Sequence, residues 1–252
     1  MAYSLIFDTE TTGLDKPFCY DLGYVIMDNE SGVIVSEKHF IIEQIWHNLP
    51  LFESAYYHEK RPLYVTLMRA HKAVMTKYGY AMQEMKRDIR KYNISDAYAY
   101  NSGFDDKVFT FNCDWYKCIN PLDEIAVHDI WAYASTFITT TADYQAYCEE
   151  HQRFTDTGNY KGNAETVFQY IMGFDDFEEE HMGLMDSQIE AKILYHCISK
   201  CGATYATDYK LTSILHRNVK KPFTIKIDNV TVCEGYYTKK YNRNDVYNFK
   251  TN

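Results

Sequence analysis

Asp8 and Glu10 stand two positions apart at the end of the apolar run Leu5-Ile6-Phe7. On an extended chain that spacing points both carboxylates to one side. Like charges so close repel one another, and a divalent cation relieves the repulsion. Spacing alone does not single this pair out, because Asp-x-Glu occurs three times, at Asp8/Glu10, Asp28/Glu30 and Asp176/Glu178. The second match falls in the turn-forming stretch Asp28-Asn29-Glu30-Ser31-Gly32 and the third in the acidic run 175–180. Solvated carboxylates are the expectation for both. Only the first leaves a stretch that a core would bury, and it passes into Thr11-Thr12-Gly13-Leu14.

Two further clusters carry chemistry. In Asn101-Ser102-Gly103-Phe104-Asp105, either Asn101 or Asp105 could cap a helix, or Asp105 could join the first pair. In His181-Met182-Gly183-Leu184-Met185-Asp186, Asp186 shares a helical face with Ile189, Glu190 and Ile193. A carboxylate beside a buried stripe calls for a metal or a cationic partner. His181 lies at the helix entrance, where a neutral imidazole could take a proton from water near pH 7; alone, it reads as an ordinary surface histidine. His196, Cys197 and Cys201 could offer ligands to zinc, but a fourth ligand is not evident.

The elements that must position these residues follow from periodicity. Residues 3–8, 20–28 and 32–42 read as strands, the last two joined as a hairpin. Apolar residues at helical spacing predict helices over 63–78 and 81–92. A fourth strand is expected at 96–100, a helix from about residue 103, and a fifth strand at 126–130. Helices are expected at 142–152, 163–173 and 183–200, with Asn163 as N-cap of the second. This order suits an α/β layer architecture with a mixed five-stranded sheet flanked by helices. Residues 223–234 alternate around Asp228-Asn229 and predict a small C-terminal β-hairpin appendage. The expected division is a main domain over 1–200 and a basic, aromatic-rich extension over 201–252.

The chain of 252 residues is 46% hydrophobic, enough for one substantial core. Five prolines and no low-complexity stretch argue against disorder away from the ends. No apolar run reaches the ~18 residues of a membrane span, and the N-terminus reads as a first strand, so no membrane partner is expected. Seven cysteines, an odd number, without a Cys-x-x-Cys pair suit reduced thiols and a cytoplasmic protein. Abundant Tyr, Asn, Lys and Ile would suit an AT-rich genome such as a phage's, which would make the location a host cytoplasm. The net charge of −9 divides unevenly. Residues 200–252 hold ten Lys/Arg against four acids, a net +6, and residues 1–199 carry −15. An acidic body suits divalent cations and a basic tail suits a polyanion.

Taken together, Asp8-Thr9-Glu10-Thr11-Thr12-Gly13-Leu14, Asn101-x-x-Phe104-Asp105 and His181-x-x-x-x-Asp186 resemble the three motifs of the DnaQ-like DEDDh 3′→5′ exonucleases, of the RNase H-like superfamily. The resemblance covers roughly residues 3–200. It implies an RNase H-like sheet and two Mg²⁺ or Mn²⁺ ions about 4 Å apart, held by Asp8, Glu10, Asp105 and Asp186, with His181 as general base. It implies that Thr11, Thr12 and Leu14 receive the terminal nucleotide, with Asn101 on the substrate side and Phe104 either packing beneath the site or touching the terminal base. Release of nucleoside 5′-monophosphates from single-stranded or frayed ends, DNA slightly favoured over RNA, would be the activity. The partners would be a single strand with a free 3′ end and, as a candidate, a polymerase or replication assembly. Met182 stands where the related Tyr branch has its catalytic tyrosine. Tyr100 stands where the second motif usually has His, and Gly183 and Ser187 stand where the third often has Ala. The segment 45–95 is long and helical for the family. In the tail, basic residues interleave with Phe223, Tyr236, Tyr237, Tyr241, Tyr247 and Phe249, which suits guidance of single strands. Two other readings stay open: an exoribonuclease on the same scaffold, and a non-catalytic nucleic-acid-binding module.

Overall fold

A computed structural model describes residues 2–212 throughout and the backbone alone of 220–227 and 230–238. The chain opens with β1 (Tyr3–Thr11), β2 (Cys19–Asp28) and β3 (Ile34–Ile42). There follow α1 (Glu43–Trp46), α2 (Leu49–Phe52), α3 (Arg61–Arg69), β4 (Val74–Thr76) and α4 (Tyr78–Lys91). Next come β5 (Asp96–Ala99), α5 (Ser102–Tyr116), β6 (Ala126–Asp129) and α6 (Ile130–Phe137). Three more helices, α7 (Ala142–Glu150), α8 (Ala164–Met172) and α9 (Gly183–Cys201), complete the main body.

The sheet runs β4-β3-β2-β1-β5-β6. β1, β2 and β3 pair antiparallel, and β4, β5 and β6 join parallel to their neighbours. The alternating strand pattern is buried on both faces. Leu5 and Phe7 of β1 enter one core with Leu22, Tyr24 and Ile26 of β2, under α4 and α5. Ile6 enters the other core with Val25 and Met27, under α6, α8 and α9. Strand parity therefore sends Asp8 and Glu10 toward the α9 side, and Thr9 toward the α5 side.

The architecture is the expected α/β mixed sheet flanked by helices, with two corrections. The sheet has six strands rather than five, because the single helix expected over 63–78 divides. α3 stops at Arg69, His71 turns into the left-handed region at φ 56°, and Val74–Thr76 pairs with Phe40–Ile42. A three-residue strand is invisible to periodicity, and its pairing partner lies over thirty residues away. The second correction is α6, which follows β6 without a break. Asp129 caps it by accepting from Trp131 N; none of the helices expected from periodicity covers 130–137. The segment 45–95 is part of the core, where Trp46, Phe52, Tyr64, Met82 and Met85 are buried. Asn163 does occupy the N-cap position of α8, yet its side chain accepts from the Thr166 hydroxyl rather than from the helix backbone.

Beyond α9, residues 203–212 lie against the main body. Ala206 N donates to the Tyr98 hydroxyl, and His128 sits between Asp96 and Asp208 at 2.9 and 2.8 Å. The expected C-terminal hairpin is present as β7 (Lys220–Ile227) and β8 (Val230–Thr238), paired antiparallel. The tail side chains expected to guide single strands lie outside the described residues. Among the described residues no helix is long and apolar enough to cross a membrane, and the six cysteines there are unpaired.

Candidate active site

The site is built where α9 crosses β2. The two backbones approach so closely at Gly23 and Gly183 that neither position has room for a side chain. A Cβ on Gly23 would lie 1.9 Å from Leu184 N, and one on Gly183 would lie 2.6 Å from Gly23 N. Gly23 is the register partner of Asp8, so the crossing brings the first turn of α9, with Asp186, against the strand pair that carries Asp8. Asp21 of β2 fixes the same junction. Its carboxylate accepts from Gly183 N at 3.0 Å and from His39 Nε2 at 2.8 Å. This supplies the cap that Met182, at the N-cap position, does not provide. The Ser187 hydroxyl lies within hydrogen-bond reach of the carbonyls of Gly23, at 3.0 Å, and Gly183, at 2.6 Å. Gly183 and Ser187, the two departures in the third motif, thus belong to one packing solution.

Carboxylates converge here from three elements. Ligand atoms of Glu10, His181 and Asp186 all lie within 4.8 Å of one another, the one such group of three or more among the described residues. His196, Cys197 and Cys201 therefore do not converge into the zinc site their spacing allowed. Burial drives the Asp8 carboxyl well above the usual range, and repulsion from Asp105, Glu190, Asp186 and Glu10 adds to it. Glu10 is raised in the same way, by burial and then by Asp186 and Asp21. Burial pushes Asp186 up to about 9, with Glu179 and Asp21 adding repulsion. Asp105, buried in the first turn of α5, is pushed up to about 7 by burial, against a 2.6 Å hydrogen bond from the Thr9 hydroxyl that favours its charged form.

Such a cluster is expensive unless a cation compensates it. The Asp186 Oδ1 atom is buried and has no hydrogen-bond partner. An orphaned carboxylate oxygen among raised carboxyls fits a divalent cation. Carboxylate oxygens beside an imidazole nitrogen, with no thiolate, are a donor set for a divalent cation.

His181 is held by neighbours that spacing could not reveal. Its backbone lies in the left-handed region at φ 46°. Its ring stacks on Tyr57, with centroids 4.5 Å apart and planes inclined by 11°. Its Nδ1 is 3.7 Å from Glu179. The Lys60 ammonium lies over the Tyr57 ring at 4.2 Å and donates to the Glu180 carbonyl. Burial, and then Lys60, hold the His181 pKa below its ordinary value, which favours the neutral imidazole. Tyr57 and Lys60 come from the segment between β3 and α3, more than a hundred residues away in sequence. Glu179 belongs to the acidic run 175–180. Asp176 and Glu178 there are exposed, as expected. Glu179 is the exception: its side chain is 9% exposed, and burial with Glu165 nearby pushes it up to about 7.

Thr11 hydrogen-bonds the Gly13 carbonyl and Thr12 is buried, while Leu14 is 76% exposed and its carbonyl accepts from Lys107 at 2.7 Å. Asn101 adopts φ 63° and caps nothing with its side chain; its N–H donates to Asp129. Phe104 is half-buried and packs on the core beneath β1. Tyr100, where the family motif has His, donates its hydroxyl to the Gly162 carbonyl at 2.5 Å, and its N–H donates to Glu190 at 3.1 Å. Glu190 is buried and raised well above the usual range by burial, then by Asp105 and Asp186.

No protein-family model matches the chain, and no curated protein sequence does. Solved structures do. One is a 3′-exonuclease studied for 3′-end-specific recognition of a histone mRNA stem-loop, at TM-score 0.53 and 12% identity over 79% of this chain. Another is a moderately thermophilic exonuclease I from Methylocaldum szegediense, at TM-score 0.52 and 13% identity, also over 79%. This chain spans 64% of the first and 41% of the second. At that identity the likeness defines the fold class: the chain has the α/β fold of these 3′-exonucleases.

Proposed function

We propose that this chain is a metal-dependent 3′→5′ exonuclease that releases nucleoside 5′-monophosphates from single-stranded or frayed ends. The observation that carries the reading is the meeting of Glu10, His181 and Asp186, with one buried Asp186 oxygen left without a partner. The two exonucleases of the same fold support it.

In this reading Asp8, Glu10 and Asp186 would hold one cation, and Asp8 with Asp105 a second. Divalent cations bound there would supply a sharpened water nucleophile and charge stabilisation for the leaving 3′ oxygen. His181, kept neutral by burial and by Lys60, accepts the proton of the attacking water at a ring nitrogen. Thr9 orients Asp105 through its hydroxyl. The turn Thr11–Leu14 takes the terminal nucleotide, and Phe104 supports the floor from the core side. Single-stranded DNA is the slightly favoured substrate, with a replication assembly as a candidate partner.

The test is the purified protein with Mg²⁺ or Mn²⁺ on matched DNA and RNA strands labelled at the 5′ end. Stepwise shortening from the 3′ end that EDTA abolishes is the expected result, with DNA degraded faster. Faster degradation of RNA would reverse the substrate assignment, and intact strands would leave only a binding module.

A further inference from the structure

Beside the carboxylate cluster lies a cavity of about 470 Å³. That is within the ~300–1,000 Å³ range of small-ligand sites. It opens where β5 and β6 end, the edge at which ligands sit in parallel α/β sheets. Tyr100, just past β5, and Trp131, in the first turn of α6, both line it, with their rings stacked at 6.3 Å and 18°. Thr139 and Thr155 add polar residues to the lining, and Lys161 is its one Lys or Arg among the described residues.

The cavity shares a wall with the candidate active site. Glu179 and Glu190 both line it. Glu179 is the neighbour of His181 at 3.7 Å, and the Glu190 charge bears on Asp8. Thr11, Thr12, Leu14 and Phe104 take no part in the lining while Asn101, expected on the substrate side, does, so the recess adjoins the one assigned to the terminal nucleotide without coinciding with it. Its aromatic faces and hydroxyls suit a neutral ring with polar edges, whereas two carboxyl groups in the wall disfavour a phosphate.

We propose that this cavity receives the nucleotide on the 5′ side of the scissile phosphate, the end of the strand that stays bound after cleavage. The proposal rests on the exonuclease reading. The nucleobase packs against Trp131, and the scissile phosphate then lies past the shared wall, at the candidate cation-binding carboxylates Asp8, Glu10 and Asp186.

Gly162 provides the means of testing this. It lines the cavity without a side chain. A Cβ there would meet Trp131 Nε1 at 3.5 Å and Thr139 Cγ2 at 3.9 Å, which are ordinary contacts with two other lining residues. The Cβ itself meets no backbone atom within 4 Å, so a larger side chain at 162 starts from an unstrained position on the cavity wall.

The experiment compares wild type, Gly162→Leu and Trp131→Ala on a single-stranded DNA decamer and on thymidine 5′-(p-nitrophenyl phosphate). The second substrate has a nucleoside 5′-monophosphate to release, with nitrophenolate as the leaving group, and no nucleotide on the 5′ side. Thermal unfolding verifies that each variant is folded. Both variants are expected to raise KM for the decamer about tenfold, the scale of one lost base stack. Their kcat and KM on the nitrophenyl ester stay within about twofold of wild type. An unchanged decamer KM in either folded variant overturns the proposal, as do equal losses on both substrates. A wild type that cleaves neither substrate overturns the exonuclease reading itself.

Discussion

Replacing Gly23 by alanine tests how the fold places Asp186. The new Cβ would stand 1.9 Å from Leu184 N and 2.0 Å from Gly183 C, both backbone atoms. Ordinary contact begins near 3.4 Å, so the first turn of α9 must retreat from β2 by about 1.5 Å. Overpacking of this kind costs about 1–3 kcal/mol, and in a chain of this size that lowers Tm by several degrees. The effect on chemistry is larger. Asp186 rides on the displaced turn while Asp8 and Glu10 stay with β1, and a misplacement of ~1 Å can cost ~100-fold in rate. Gly23→Ala is therefore expected to fold, to lose about 100-fold or more in kcat, and to bind Mn²⁺ more weakly. The assay pairs hydrolysis of a labelled strand with Mn²⁺ titration and thermal unfolding. Gly79→Ala is the control, because its Cβ meets only Cys118 Cβ, at 3.5 Å. A Gly23→Ala protein with wild-type kcat and Mn²⁺ affinity would refute the claim that this close approach sets the ligand geometry.

Other perturbations follow from the same site. His181 serves as a base only when neutral, so activity falls as pH drops through its pKa, which lies below the ordinary 6.5. Lys60→Met removes a charge that lowers this pKa, so the acid limb of the kcat/KM profile should move to higher pH; an unmoved limb would contradict the assignment. Tyr57→Ala should lower kcat about tenfold with little change in KM, and Tyr57→Phe should keep the stack and the rate; equal losses in both would point to the hydroxyl instead. Asp105 and Asp186 are raised to about 7 and about 9. The folded state thus binds more protons than the unfolded chain above the usual carboxylate range. Metal-free stability should therefore fall as pH rises from about 4 to about 9. Mn²⁺ should raise Tm more at the alkaline end, as thermal unfolding at several pH values will reveal.

The sequence carried the strands and the polar motifs well, for a physical reason. Asp8 and Glu10 stand two apart on one strand and so share a face with Ile6, and Asp186 lies on a stripe with Ile189, Glu190 and Ile193, all of the stripe buried. Local period is enough to aim such side chains. What stayed hidden depends on distant partners. β4 is a strand only because Phe40–Ile42 offers it a pairing edge. Tyr57 reaches His181 across the fold. Asp21, buried and bonded to both His39 and Gly183 N, looked like any polar residue in a strand. Glu179 sat in a run of acids whose other members face water, and only tertiary packing buries it. A glycine in β2 opposite a glycine opening α9 was the one local trace of the helix crossing.

The most direct test of the account is hydrolysis of a 5′-labelled single strand by wild type and by Asp8→Ala, with Mn²⁺ and with EDTA. The expected result is stepwise loss of 3′ nucleotides by the wild type with Mn²⁺, and none by Asp8→Ala or with EDTA. Stepwise hydrolysis that survives Asp8→Ala, or that proceeds undiminished in EDTA, would contradict it.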